Sequence, residues 1–299
     1  TVPMGNLTTK IKRNKNERSR IFISSAAETP TNIDNKLLFN NDEEIDRVQV
    51  EHHMYRTVWG GNFLSPVREM LMEGGATVLD FGCGPGTWTC DMSSDFPKST
   101  FVGVEVASLF PTIYPSNVQF IKCDLNGGLP FNDNQFDFVY LQLKYLNYTK
   151  SQWNNLVIQE LVRVLKPGGW IELFELECDG INNGPISKKY VSLFREACSR
   201  RDLDPDLVFH LPQIITSTKG IDPTTLRQVS KIVPLGPWGG KLGEIIQNNC
   251  VKLMRKQNIV LRITEKEARE LVEKQQHELC VYKTSIKLYR FYAMKSLGK

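Results

Sequence analysis

The sequence predicts an α/β fold in which a doubly wound, mostly parallel sheet is covered by helices on both faces. Three observations carry this prediction. From Thr77 onward, short apolar strand-like runs alternate with segments of helical period. The run Val78-Leu79-Asp80-Phe81 breaks into Gly82-Cys83-Gly84-Pro85-Gly86-Thr87, the pattern of a buried strand turning sharply into a helix around a ligand. Helix caps and stops also bracket the intervening segments, as at Thr149…Gln152 and Lys166-Pro167-Gly168-Gly169. With 299 residues, 41% of them hydrophobic and 23% charged, the chain is long enough for a substantial core, in one large domain or two small ones.

Taken in order, residues 1–40 are rich in Asn, Thr, Ser and Lys with little apolar periodicity, and read as a disordered basic tail. Lys10 to Arg20 hold six basic side chains and one acid, so the net charge of +4 belongs to this cluster and the remainder is about neutral. The tail reads as a solvated segment or as a nuclear-localisation or docking element. Residues 41–299 read as the folded domain. Within it, residues 41–76 are expected to form an N-terminal helical lid, with Ile45, Val48, Val50, Met54 and Tyr55 on a helical period and a helix start at Ser65-Pro66. Strands are expected at Thr77–Phe81, Thr100–Glu105, Val118–Cys123, Phe136–Leu141, Trp170–Leu176, Leu226–Val233 and Ile286–Met294, with helices at Ile186–Arg200, Lys241–Lys256 and Glu265–Leu279. Thr264 and Glu267 form a second capping box, and residues 236–284 read as a helical insertion.

The glycine loop carries the chemistry. A nicotinamide fingerprint spaces its glycines G-x-G-x-x-G and sets a pyrophosphate on the next helix. Here the spacing is G-x-G-x-G, and Asp80 stands at the strand end. A carboxylate there repels a pyrophosphate and welcomes an ammonium or a sulfonium, so the ligand that fits is S-adenosylmethionine. Glu105, about twenty residues beyond the loop, suits two ribose hydroxyls. Asp124 and Leu125 follow the third strand and offer an acid for the adenine amino group and an apolar side chain for its ring. The expected cofactor set is Asp80, Gly82, Cys83, Gly84, Gly86, Thr87, Glu105, Val106, Asp124, Leu125 and Tyr140, with Trp59 and Asn62 from the lid. A packed turn is the other reading of Trp59-Gly60-Gly61-Asn62.

Together Val78 to Thr87, Glu105, Asp124-Leu125, Leu129-Pro130-Phe131 with Phe136 to Val139, and Leu165 to Trp170 resemble the ordered motifs of class I adenosylmethionine-dependent methyltransferases. More narrowly, Trp59 to Phe63 and Pro237 to Gly243 resemble a fungal group of methyltransferase-domain proteins that includes relatives of secondary-metabolism regulators. The resemblance spans about Asp42 to Lys299. It implies a Rossmann-like sheet of seven strands with the last antiparallel, capped by the N-terminal helix and by the insertion between strands six and seven. It further implies that Gly82, Gly84 and Gly86 approach the methionine part, that Glu105 binds ribose, and that Asp124 and Leu125 bind adenine. Phe81 is bulkier than the residue often found before the first glycine.

The implied chemistry is in-line displacement at a methyl carbon, in which positioning supplies most of the acceleration. An oxygen nucleophile usually needs a base. The candidate catalytic residues are Glu175, His210 and Tyr140, with His52, His53 and Gln142 as further polar groups. No metal is expected, because strand alternation points Glu172 away from Glu175. Tyr140-Leu141-Gln142-Leu143 departs from the Asn/Asp-Pro-Pro-aromatic turn of nucleobase amino-methylases, and the neutral domain carries no strong nucleic-acid signal. Seven scattered cysteines without a C-x-x-C, and no apolar run of membrane length, suggest a reducing cytoplasmic or nuclear setting. Thr1 in place of an initiator methionine suggests a processed or trimmed chain. Three readings stand: a methyltransferase for a small-molecule acceptor; a protein methyltransferase or a regulatory protein of this fold, partnered through its basic tail in the nucleus; and a cofactor-binding pseudoenzyme or nicotinamide enzyme.

Overall fold

The computed structural model describes residues 42–107, 109–124 and 128–298. The basic tail and Leu125 therefore lie outside the described residues. Seven strands form one sheet: β1 (Thr77–Phe81), β2 (Thr100–Glu105), β3 (Val118–Lys122), β4 (Phe136–Gln142), β5 (Leu165–Leu176), β6 (Arg227–Pro234) and β7 (Ser285–Met294). Their order is β3-β2-β1-β4-β5-β7-β6, and β7 runs antiparallel to both of its neighbours. The order reverses between β1 and β4. In open α/β sheets that reversal opens a crevice beyond the carboxyl ends of the strands, where ligands bind.

Strand alternation distributes the core. Leu79, Phe81, Val139, Leu141, Ile171 and Leu173 face one way and pack against α5 (Ile158–Val164) and α7 (Leu207–Ser217). Val78, Phe138 and Tyr140 face the other way, against α2 (Arg68–Glu73) and α3 (Thr87–Asp95). Beyond β5 a third cluster joins Phe174, Val233 and Leu288 of the sheet to Tyr55 and Trp59 of α1 (Asp42–Trp59) and Ile246 of α8 (Gly240–Arg255). The lid helix and the insertion are bonded to each other. Arg47 donates to Asn249 Oδ1 at 2.9 Å, and Asn249 returns a bond to the Arg47 carbonyl at 2.8 Å.

Local signals explain most boundaries. Thr149 accepts from the Gln152 N–H and Gln152 from Thr149, a closed capping box opening α4 (Lys150–Gln152). Thr264 and Glu267 do the same for α10 (Glu265–Val281). Three expectations differ from the structure. The helix expected from Ser65-Pro66 starts at Arg68, because Ser65 is drawn into a buried bond with Glu172 rather than capping a helix. Lys166 to Gly169 belong to β5, since its edge continues to pair beside β4 across a register shift. Helix α7 was not expected, because Pro212 stands inside its apolar run and removes a backbone donor. Between α6 (Pro185–Ser199) and α10 the short α9 (Asn258–Leu261) completes the cap.

Candidate active site

The site is built where β1, β2, β4 and β5 end. Gly82 and Cys83 continue the ladder, both donating to the Val104 carbonyl, at 2.8 and 3.0 Å. The chain then turns through Gly84, whose φ of +55° is unfavourable for a side chain although a Cβ there would meet nothing within 4 Å. Backbone conformation, not space, requires glycine at this position. Glu105 closes the loop from β2: its Oε2 accepts the Gly84 N–H at 3.1 Å and its Oε1 the Val106 N–H at 2.8 Å. Val106 is itself exposed.

Asp80 is buried on the α3 side of β1 and accepts the Thr89 hydroxyl at 2.6 Å. Burial pushes its carboxyl up to about 7, against the opposing pull of Thr89 and of the Lys144 ammonium. Cys83 is buried and desolvation pushes its thiol well up, so it packs beside the loop as an inert group. Thr87 opens α3 behind Gly86, and its Oγ1 is buried with no partner. Asp124 lies exposed after β3.

On the far side of the crevice, Leu143 takes a left-handed φ of +51°, rare for a branched side chain and a form of strain that concentrates at functional sites. This turn lets the Lys144 N–H donate to Glu175 Oε1 at 2.7 Å. Glu175, at the end of β5, is fully buried, and its Oε2 has no partner. Burial pushes its carboxyl up to about 8, opposed by the Lys144 and Tyr145 N–H groups and the Lys144 charge. The Lys144 side chain crosses the glycine loop and brings Nζ to 3.8 Å from Glu105 Oε2.

The lid is fastened to α3 through Asp91, with Arg56 also donating to Asp95 at 3.0 Å. Asp91 receives His52 at 2.8 Å, Arg56 at 2.6 Å and Asn62 at 3.0 Å. Burial opposes its ionisation, but these donors hold it down at about 2. A second anchor is Glu172, fully buried, which accepts the Leu64 and Ser65 N–H groups, the Ser65 hydroxyl and the Arg290 guanidinium. Glu172 and Glu175 thus serve opposite faces of β5. Trp59 packs edge-on to Phe174 with Arg290 over its ring. Its Nε1 and the Asn62 Oδ1 are buried without partners.

The structure brings together Asp80, the glycine loop, Thr87, Glu105 and Glu175. It corrects two expected catalytic residues. Tyr140 is fully buried, stacked at 4.1 Å on Trp88, with its hydroxyl donating to Gln142; desolvation pushes the phenol far up, so it is a core group rather than a base. His210 bonds Asp204 at 2.6 Å in a separate crevice of about 260 Å³, lined by Lys150, Trp153 and Asn154 and by none of the loop residues. Of the further polar groups, His52 is occupied by Asp91 and His53 is exposed. Sequence reasoning missed Lys144, Asp91, Thr89 and Arg290. None lies in a recognisable spacing; each matters through a partner distant in the chain.

The residues present fit the adenosyl cofactor. The oxygens of Thr87, Asn62 and Glu175 that are buried without protein partners can accept from an ammonium or hydroxyl, and Gly84 leaves room for close approach. No group of three or more His, Cys, Asp or Glu among the described residues is arranged to hold a metal ion. No helix there is long and apolar enough to cross a membrane.

Comparison with known proteins bears on the same region. Residues 78–169 match the family model described as a methyltransferase domain. The N-methyltransferase verN of Clonostachys rogersoniana is 32% identical over 167 residues, covering 54% of this chain and 57% of that one. The secondary metabolism regulator laeA of Coprinopsis cinerea is 26% identical over 215 residues, covering 66% and 52%. Among solved structures, phosphoethanolamine N-methyltransferase 2 of Haemonchus contortus is 19% identical, with a TM-score of 0.46 and coverage of 83% of this chain and 57% of that one. The chain spans about half the length of the curated relatives it matches.

Proposed function

We propose that the chain, whose residues 78–169 match a methyltransferase domain, transfers a methyl group from S-adenosylmethionine to an oxygen or nitrogen of a small-molecule acceptor. The observation that carries the reading is the junction of the glycine loop with Glu105 at the sheet's switch point, flanked by the orphaned Thr87 hydroxyl. When bound, the cofactor supplies an electrophilic methyl on a sulfonium. Glu105 would hold its sugar end, the loop glycines would lie against its methionine part, the carboxylates of Asp80 and Glu175 would favour its cationic end, and the anchored lid would exclude water. Glu175 is the proton acceptor of this reading. Its unpartnered oxygen and a carboxyl raised to about 8 suit it, once ionised above about that pH, to take a proton from an acceptor hydroxyl or ammonium. The relative named as an N-methyltransferase supports nitrogen as the accepting atom.

A second reading is a regulatory methyltransferase-fold protein with a protein partner in the nucleus. The laeA regulator, which aligns with 66% of the chain, favours it. Calorimetric titration with S-adenosylmethionine, S-adenosylhomocysteine and NAD tests the cofactor assignment. Binding of the first two in the micromolar range with NAD silent is expected; NAD binding alone would overturn it. An acceptor screen by radiolabel transfer then separates the small-molecule reading from the regulatory one.

A further inference from the structure

We propose that Lys144 is a resident competitor for the cofactor groove and sets its preference between the sulfonium and thioether forms of the cofactor. The proposal rests on the reading that the glycine loop binds S-adenosylmethionine.

The first support is volume. A Cβ built on Gly82 would stand 2.3 Å from Lys144 Cε and 2.8 Å from its Nζ. The lysine side chain therefore lies directly on the loop surface that a bound cofactor needs. The second is charge. Nζ stands 3.8 Å from the same Glu105 oxygen that accepts the Gly84 N–H, and the two side chains are only 13% and 12% exposed. A ligand that engages Glu105 through hydroxyls competes for that oxygen.

The third is the acidic surroundings. Burial opposes ionisation of Asp80 and Glu175, and the Lys144 ammonium counters that effect at both. It is a cation shared by the two acids. Its backbone is fixed by the left-handed Leu143 and by the bond to Glu175, whereas the ammonium is carried on a four-carbon stem of rotatable bonds. Cofactor entry therefore breaks the Glu105 ion pair and moves the ammonium off the loop. The sulfonium form brings a replacement positive charge to the acids, and the thioether form brings none. A neutral side chain at position 144 removes the ion pair that holds the stem over the loop, which helps both forms, but leaves the acids unbalanced, so the sulfonium form gains more.

The test is calorimetric titration of the full chain and its Lys144→Met and Lys144→Arg variants with S-adenosylmethionine and S-adenosylhomocysteine. Thermal melts of the ligand-free proteins confirm that each variant folds, and Lys144→Gln replaces Lys144→Met should the latter not fold. The neutral variant is expected to bind both ligands tighter by roughly three- to tenfold, and to raise the ratio of sulfonium to thioether affinity by about threefold. Lys144→Arg keeps the charge and is expected to keep the wild-type ratio. Unchanged or weaker binding by the neutral variant, or an arginine variant that behaves like it, overturns the inference alone. Wild-type silence toward both ligands overturns the methyltransferase reading and this inference with it.

Discussion

Asp80→Asn exchanges a carboxylate for an amide of the same shape at the floor of the site, and it should stabilise the ligand-free chain while weakening cofactor binding. The ordinary carboxyl value for Asp80 is 3.8, and burial raises it to about 7 in the folded chain. Between those values the folded chain holds a proton that the unfolded chain has released. The raised value therefore makes stability fall as pH climbs through that window, and the full penalty is present above about 7. Each pH unit in the window is worth about 1.4 kcal/mol. From pH 5 to pH 8 the wild type should lose about 3 kcal/mol through this group, and the asparagine variant should lose none of it. The amide oxygen still accepts the Thr89 hydroxyl, so the hydrogen bond survives the exchange. Urea unfolding of both proteins at pH 5, 6, 7 and 8, without ligand, measures the difference. The variant's advantage should widen by about 3 kcal/mol over that range, while calorimetry at pH 7.5 shows weakened S-adenosylmethionine binding. A variant destabilised equally at every pH would refute the argument. It would mean that Asp80 is already ionised and satisfied in the ligand-free fold.

Three further outcomes are expected. Glu175→Gln should leave adenosylhomocysteine bound but remove the limb of the kcat/KM–pH profile that rises through about 8, since the wild-type carboxyl accepts a proton only when ionised; an unchanged limb would remove Glu175 from the chemistry. Gly84→Val forces a β-branched residue to φ +55° and pulls the loop from Glu105, so cofactor affinity should fall more than about tenfold; full affinity would show that this loop does not touch the ligand. Arg290→Met leaves Glu172 buried beside the Leu64–Ser65 anchor without its cation, and equilibrium unfolding should show a loss of about 3–5 kcal/mol. A loss below about 1 kcal/mol would show that the backbone and Ser65 donors satisfy Glu172 unaided.

Much of this architecture follows from local residue order. Strands β1 and β2 begin and end where their apolar runs do, at Thr77–Phe81 and Thr100–Glu105, because a buried strand needs a continuous apolar run bounded by breakers. The capping boxes at Thr149 and Thr264 close as read, because the two partners sit three residues apart. The G-x-G-x-G loop and Glu105 are likewise readable, since strand ends place them on one rim of the sheet once the parallel order is known. Helix α7 escaped the sequence reading, because a proline within an apolar run argues against a helix unless tertiary packing compensates, as the cluster around Leu207, Leu211 and Ile215 does.

The site's electrostatics had no such local origin. Glu172 meets Arg290 across 118 residues, Asp91 gathers His52 and Arg56 from α1 and Asn62 from the bend beyond it, and Lys144 reaches Glu105 only after a left-handed turn at Leu143. The same separation decided the histidine and the tyrosine. His210 follows Asp204 into its own crevice, and Tyr140 turns inward onto Trp88. Burial and opposite charge act through space, so a residue's protonation and partner depend on what folding brings near it, whereas periodicity and capping act along the chain and can be read there.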